Sequence, residues 1–203
     1  MMIAGPAGQL QIQIDLPKTD PKLPIFIMCH PHPLYQGTMD NKVVTTTTRT
    51  FNRLGMMTVR FNFRGVGQSE GEYGDGDGEL ADTLAVIDYV TTHYPDRPMW
   101  LGGFSFGGVT AYRAAAKRDI AQLLSIAPGI TRISTADAAE PSMPWVIIQS
   151  DADEIVSPKA VFDWVHRHEV PYYLVKVQGA CHFFHGRLTE LRDHLIRLYG
   201  ALL

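Results

Sequence analysis

The chain has 203 residues, of which 45% are hydrophobic and 19% charged, so its composition predicts one globular domain over residues 1–203 and excludes a disordered chain. Its 18 basic and 21 acidic side chains give a net charge of −3 with no cluster of Lys or Arg, which argues against nucleic acid as a partner. Prolines interrupt its longest uncharged stretch, which argues against a membrane-spanning helix. Cys29 and Cys181 are too few for a disulfide framework, and the first ten residues have no signal-peptide pattern, so a cytoplasmic protein is expected.

Strand and helix signals alternate along the chain. Residues 9–15 alternate polar and apolar side chains, as does an antiparallel strand with one wet face. Six later runs are mostly apolar and are predicted to be central, parallel strands: residues 23–29, 56–61, 99–104, 123–127, 145–149 and 172–177. Apolar stripes at helical spacing lie between or after them, at residues 43–54, 80–87, 161–165 and 188–198. The order predicts an α/β fold with a mostly parallel, doubly wound sheet, helices on both faces and ligands bound beyond the carboxyl ends of the strands.

Ser105 is the candidate nucleophile. It lies in the run Gly103-Phe104-Ser105-Phe106-Gly107, directly after the strand signal at 99–104 and before residues 109–117, which favour a helix. A strand, Gly-x-Ser-x-Gly and a helix form the nucleophile elbow, whose tight turn leaves no room for side chains at the two glycines. A phosphate-binding glycine loop is the alternative, but the chain has neither G-x-G-x-x-G nor G-K-[ST].

A serine needs a base to take its proton, and His182 is the candidate. In this type of site the acid and then the histidine follow the serine along the chain. Of the eight histidines, His182 follows the last strand signal in a loop expected to open at the carboxyl edge of the sheet, with His185 as the alternative. A loop histidine that caps the final helix is the structural alternative for His182.

The orienting acid is expected after the strand signal at 145–149. Asp153 is preferred to Asp151 and Glu154, because the apolar pair that follows Glu154 can anchor its loop. Asp151 is otherwise a turn residue that binds local amides, and Glu154 a solvated side chain. Asp137 is the alternative if the acid instead follows the preceding strand signal, at residues 123–127.

Two backbone amides are expected to form an oxyanion hole. One is the amide of Phe106, directly after the serine, and the other belongs to the loop after residues 23–29. Prolines 31 and 33 have no amide hydrogen, so His32, Leu34 and Tyr35 remain as donors and His32 is preferred.

A metal site at His30-x-His32, with His182 and His185, is the competing interpretation of the histidines. It lacks the Cys, Asp or Glu ligands and the spacing typical of zinc sites, so neither a metal nor a cofactor is expected.

These motifs resemble those of the α/β-hydrolase superfamily over essentially the whole chain. More narrowly, residues 29–33, 37–43, 60–67, 103–108 and 182–188 resemble small bacterial serine hydrolases related to dienelactone hydrolase. The resemblance implies the α/β-hydrolase fold and an acid in an Asp-x-x-Val setting, which Asp153 matches. The resemblance leaves two roles open for Arg64: an anchor for a loop near the site, or a structural arginine that binds carbonyls.

The lengths between elements predict an open site. Only residues 128–144 separate two strand signals at the place where many such enzymes carry a helical lid, so no cap domain is expected. The expected cleft is shallow and rimmed by the apolar side chains of Leu34, Tyr35, Phe104, Phe106 and Phe183.

The expected function is that of a serine hydrolase acting on a small-molecule ester or thioester of a short acyl group through an acyl-enzyme. Ser105, Asp153 and His182 would form its catalytic triad. The alternatives are a protein that kept the fold for interaction without turnover, and an acyltransferase or peptidase with the same triad. The oligomeric state is left open, with a homodimer among the alternatives.

Overall fold

Residues 1–18, 23–131 and 139–201 are described by the computed structural model. Their strands are β1 (Met2–Gly5), β2 (Gly8–Asp15), β3 (Ile25–Cys29), β4 (Met57–Phe61), β5 (Met99–Phe104), β6 (Gln122–Ile126), β7 (Trp145–Ser150) and β8 (Tyr172–Val177). Their helices are α1 (Lys42–Arg53), α2 (Asp77–His93), α3 (Phe106–Ala115), α4 (Pro158–Val165) and α5 (Leu188–Tyr199), with a 3-10 turn at Pro33–Tyr35.

The strands of the described residues form one sheet in the order β1-β2-β4-β3-β5-β6-β7-β8. β1 with β2 and β2 with β4 are antiparallel, and every other neighbouring pair is parallel. Side chains of α2, α3 and α4 belong to the core on one face of the sheet, and those of α1 and α5 to the core on the other. The predicted doubly wound α/β sheet with helices on both faces is confirmed.

The prediction that residues 172–177 form a central strand is wrong. β8 is the last strand of the sheet, and its side chains are mostly half-buried or exposed, with Tyr173 60% exposed. Lys176 also faces outward, with its ammonium 4.6 Å from the centre of the Phe162 ring. A charged residue on an edge strand discourages pairing with other chains, so Lys176 was the signal for an edge position.

The strand β1 was missed by the sequence interpretation. It forms a tight hairpin with β2, in which Gly5 pairs with Gly8, and its Ile3 enters the core. Four residues are too few for a periodic pattern, so the turn composition around Pro6 was the only available signal.

The helix between β6 and β7 that would form a lid is absent from the described part of this connection, residues 127–131 and 139–144. Within the described ranges, no helix combines the length and the hydrophobicity needed to cross a membrane.

Candidate active site

The turn between β5 and α3 holds Ser105 in a strained backbone conformation, with φ +56° and ψ −119°. A Cβ at Gly103 would lie 2.0 Å from the carbonyl oxygen of Gly107, and a Cβ at Gly107 would lie 2.4 Å from the carbonyl oxygen of His30. Only glycine therefore fits on either side of the serine. The Ser105 amide donates to the Ile126 carbonyl at 2.9 Å, which ties the strained residue to the end of β6.

The structure brings Ser105, His182 and Asp153 together in one chain of hydrogen bonds. His182 Nε2 lies 3.0 Å from Ser105 Oγ, and His182 Nδ1 lies 2.7 Å from Asp153 Oδ2. A carboxylate oxygen accepts, so Nδ1 carries the hydrogen and Nε2 is left to accept the serine proton. The three residues follow β5, β7 and β8, at the carboxyl ends of strands in the same sheet.

The loop of His182 is fixed by carboxylates from the loop after β7. Glu154 Oε2 accepts the His182 amide at 3.0 Å, and Asp151 Oδ1 accepts the Gly179 amide at 2.7 Å. Asp151 thus binds an amide 28 residues away and not a local turn, whereas Glu154 is exposed as suggested but also accepts the His182 amide. The imidazole itself packs against the rings of Phe104 and Phe183, with centroids 4.9 and 5.0 Å away.

Asp153 is a buried carboxylate with four hydrogen-bond donors. Its Oδ1 accepts the amides of Ile155 and Val156 at 2.9 and 2.7 Å, and its Oδ2 accepts Gln149 Nε2 at 3.1 Å in addition to His182. Burial acts to raise the pKa of Asp153, but the bond from His182 and the two amides together outweigh it and lower that pKa. The carboxylate therefore stays ionised beside the imidazole. Asp137, the other acid considered, lies outside the described residues.

The two amides expected in the oxyanion hole belong to residues that line the same cavity. Phe106 is the first residue of α3, where amides have no partner within the helix and the helix dipole favours negative charge. The His32 ring packs on the Phe106 ring with centroids 4.7 Å apart. His32 Nδ1 accepts the Leu34 amide at 3.3 Å, and Nε2 lies 3.4 Å from the Tyr73 hydroxyl oxygen.

His30 is a structural residue beneath this loop. Its ring is fully buried, its Nε2 accepts the Phe63 amide at 3.0 Å, and its Nδ1 donates to the Pro31 carbonyl at 2.6 Å. Burial lowers the pKa of His30 to about 3, so the ring is neutral. Because both nitrogens are used, His30 has none left for a metal. Among the described residues, no group of three or more His, Cys, Asp or Glu side chains is arranged to hold a metal ion.

The cavity above Ser105 has a volume of about 620 Å³. Its walls include Tyr35, Phe106 and Phe183 as expected, but two of the predicted rim residues lie elsewhere. Phe104 is fully buried beneath the His182 and Phe183 rings, because it is still part of strand β5. Leu34 is 66% exposed and is not part of the lining.

Several lining residues were not predicted: Gln36, Gly37, Asn41, Gly129, Glu154 and Ile155. His185, the alternative base, also lines the cavity, but its ring stacks on Phe183 with centroids 5.8 Å apart. Gly129 and Glu154 lie in the loops that follow β6 and β7, and that position was the available signal for them.

Arg64 belongs to the scaffold and not to the cavity lining. Its Nε and Nη2 bind both carboxylate oxygens of Asp82, at 2.7–3.1 Å, and Asp82 is fully buried on α2. The hydrogen bond with Asp82 raises the pKa of Arg64. The pair joins the loop after β4 to α2, which the sequence interpretation did not foresee because the two residues belong to different elements.

Comparisons with known proteins identify the family. The family described as X-Pro dipeptidyl-peptidase (S15 family) matches residues 7–143. An uncharacterised protein of Rickettsia prowazekii is 35% identical over 208 residues, which cover 96% of this chain and 87% of the relative.

Two solved structures agree with this chain over almost their whole lengths. An α/β serine hydrolase homologue from Coxiella burnetii has a TM-score of 0.93 and 46% identity, over 97% of this chain and 95% of its own. An α/β serine hydrolase without a lid from Xanthomonas campestris has a TM-score of 0.94 and 42% identity, over 100% of this chain and 94% of its own. The resemblance to lidless α/β serine hydrolases is confirmed, and the chain belongs to the X-Pro dipeptidyl-peptidase (S15) family of α/β hydrolases.

Proposed function

We propose that this hydrolase cleaves carboxylic esters or thioesters of small acyl groups, through an acyl-enzyme on Ser105. The observation that carries the proposal is the unbroken chain of hydrogen bonds from Asp153 through His182 to the strained Ser105 at the floor of a cavity. This arrangement activates a hydroxyl for nucleophilic attack, because the histidine accepts the serine proton and the buried carboxylate binds the other nitrogen of the histidine.

The steps follow from the contacts of these side chains. Ser105 Oγ attacks the carbonyl carbon while His182 Nε2 takes its proton, and Asp153 stabilises the imidazolium that forms. The amides of Phe106 and His32 would hold the oxyanion, and the loss of one such donor costs roughly 10² to 10³ in turnover. His182 then protonates the leaving alcohol or thiol, and a water molecule activated by the same imidazole releases the acid.

The size and walls of the cavity support a small, largely apolar acyl group. A volume of about 620 Å³ lies within the range of small-molecule sites. Phe106, Ile155 and Phe183 form apolar parts of the cavity wall. The related serine hydrolase from Xanthomonas campestris has no lid either. A reducing compartment such as the cytoplasm suits the two unpaired cysteines, Cys29 and Cys181.

The proposal is tested with an active-site probe and an ester series. We expect a fluorophosphonate to label the wild type but not Ser105→Ala, because only an activated serine reacts with it. On 4-nitrophenyl esters from acetyl to octanoyl, Ser105→Ala should lose at least about 10³-fold in kcat/KM. Ser142→Ala, which removes an exposed serine outside the cavity lining, is the matched control and should keep both activities. Equal labelling of wild type and Ser105→Ala would refute the nucleophile.

A peptidase is the second candidate, and the match to the X-Pro dipeptidyl-peptidase family favours it. The same Ser105, His182 and Asp153 would then cleave an amide, with His182 protonating an amine leaving group. Comparison of Ala-Pro-4-nitroanilide with 4-nitrophenyl butyrate separates the two. A higher kcat/KM for the anilide would replace the ester proposal.

Acyl transfer and a purely binding role are the remaining alternatives. Capture of the acyl group by an added alcohol in preference to water would identify a transferase. No turnover of any ester, together with a stable stoichiometric partner, would identify an interaction protein.

A further inference from the structure

Within the described part of the chain, Glu154 is the one Asp, Glu, Lys or Arg that lines the active-site cavity. The other lining side chains are apolar, aromatic, amide, hydroxyl or imidazole groups. The sequence interpretation gave a solvated side chain as the alternative role of Glu154, and Glu154 is indeed exposed in the structure. A carboxylate exposed to a substrate cavity can act on a bound substrate, whereas one exposed only to bulk water cannot.

The Glu154 carboxylate is held at the cavity by the backbone of the proposed base. Its Oε2 accepts the His182 amide at 3.0 Å, and His182 Nε2 contacts Ser105 Oγ at 3.0 Å. The carboxylate is therefore separated from Ser105 Oγ by the His182 residue, with one 3.0 Å hydrogen bond at each end of it. The hydrogen bond from the His182 amide holds this exposed carboxylate at the wall of the cavity.

No cation within the described residues neutralises this carboxylate. Glu154 forms no ion pair among them, and neither Lys nor Arg lines the cavity there. Glu154 thus places an acidic side chain without an ion-pair partner on its side of the cavity.

We propose that Glu154 determines the charge selectivity of the cavity, favouring esters that carry a cationic group over neutral ones and neutral ones over anionic ones. The inference rests on the proposed esterase function. A single charge at this range, in a partly solvated cavity, changes the binding of a charged group several-fold in each direction. The charge acts on the bound substrate and on the transition state alike. We therefore expect it to change mainly KM and to leave kcat nearly the same.

The test uses three 4-nitrophenyl esters that share a leaving group and differ in acyl charge. They are the esters of 4-(trimethylammonio)butanoate, its neutral carbon isostere 5,5-dimethylhexanoate, and anionic glutarate. Acetylcholine and 3,3-dimethylbutyl acetate test the alcohol side in the same way. For the wild type at low ionic strength, we expect kcat/KM for the cationic acyl ester to exceed that for the anionic one by roughly tenfold.

Glu154→Gln is the informative variant, because its amide oxygen still accepts the His182 amide while the charge is gone. We expect the cationic-to-anionic ratio of kcat/KM to fall roughly tenfold, to near one, mainly through KM. High salt should reduce the ratio of the wild type and leave that of Glu154→Gln unchanged. Asp96→Asn makes the same change in net charge at the opposite, amino end of β5 and should keep the ratio of the wild type.

Three outcomes decide the inference. It is overturned if the wild type shows no charge preference in either series, or if Glu154→Gln keeps the preference. A uniform loss across the three acyl esters with an unchanged ratio would also overturn it, since that is the result of a merely structural role. If the wild type hydrolyses no ester, the proposed function fails, and calorimetric binding of acetylcholine and 3,3-dimethylbutyl acetate to Ser105→Ala still decides the charge preference.

Discussion

Two buried histidines show that contacts, and not residue type, assign chemistry at the scale of single residues. Both nitrogens of His30 bind backbone groups, and its ring is closed off from solvent. His182 is almost as buried, but its Nδ1 binds a carboxylate and its Nε2 contacts a hydroxyl at the cavity. The first histidine therefore supports a loop, while the second is available for proton transfer.

The buried, neutral state of His30 predicts a pH dependence of stability. In the unfolded chain an imidazole takes up a proton near pH 6.5, whereas burial lowers the pKa of His30 to about 3 in the fold. Between these values the unfolded state binds the additional proton, so the free energy of unfolding falls as the pH drops from 6.5 towards 3. The slope of this contribution is at most about 1.4 kcal/mol per pH unit, and above pH 6.5 nothing is lost.

Urea denaturation at several pH values measures this effect. His30→Gln should be less stable than the wild type at pH 7, and the difference should shrink as the pH falls, because the variant has no imidazole to protonate. The contribution of Asp153 is common to both proteins and cancels. His93→Gln, which alters an exposed histidine, should follow the wild type at every pH. Parallel curves for His30→Gln and wild type would contradict the explanation.

At the scale of elements, the junction of β5 and α3 depends on two close backbone approaches. The chain passes from a buried strand into a buried helix with Ser105 as the only residue between them. Gly103 faces the Gly107 carbonyl, and Gly107 faces the carbonyls of Cys29 and His30 at the end of β3. The glycines thus determine how closely the helix lies on the sheet, and with it the position of the serine hydroxyl.

Substitution of Gly103 separates crowding from backbone strain. A Cβ there would lie 2.0 Å from backbone that cannot move aside, so Gly103→Ala should destabilise the fold by at least about 3 kcal/mol. Gly186→Ala is the matched control, because Gly186 has φ +71° but nothing within 4 Å of an added Cβ. It should lose only about 1 kcal/mol from the left-handed conformation. Urea midpoints followed by circular dichroism measure both, and equal losses would show that the close approach is unimportant.

At the scale of the whole molecule, the three proposed catalytic residues are attached to strands of unequal burial. Ser105 follows β5, every residue of which is buried, and Asp153 follows β7, which is equally buried. His182 follows β8, the edge strand, which has one neighbouring strand among the described residues. The base is therefore carried by the part of the sheet with the least surrounding structure, although carboxylates from the loop after β7 tie its loop down.

This difference predicts the order in which the sheet opens. Native-state hydrogen exchange should show the amides of β8 that bond to β7 opening at a lower free energy than those of β5, because fewer buried contacts hold the edge strand. Fluorophosphonate labelling should accordingly decline at a urea concentration below that of global unfolding. Exchange of β8 and β5 amides through the same global event would contradict the prediction.

The sequence predicted the alternation of strands and helices from local patterns, and the convergence of Ser105, Asp153 and His182 from the position of each residue after a strand signal. Continuous apolar runs indicate covered strands, and the parallel strands that carry these three residues end at the same edge of the sheet. The structure has the three side chains in hydrogen-bond contact. Their role in catalysis stays a proposal, to be decided by the Ser105→Ala experiment.

The sequence by itself determined every helix, every strand except β1, and the turn around Ser105, since Gly-x-Ser-x-Gly between a strand signal and a helix signal is a pattern of neighbouring residues. Only the tertiary structure decided that β8 is an edge strand, that Phe104 lies beneath the cavity, that Asp82 binds Arg64 and that Glu154 faces the substrate space. The reason is physical: burial and pairing depend on which distant segment covers a residue, and spacing along one chain carries no such information.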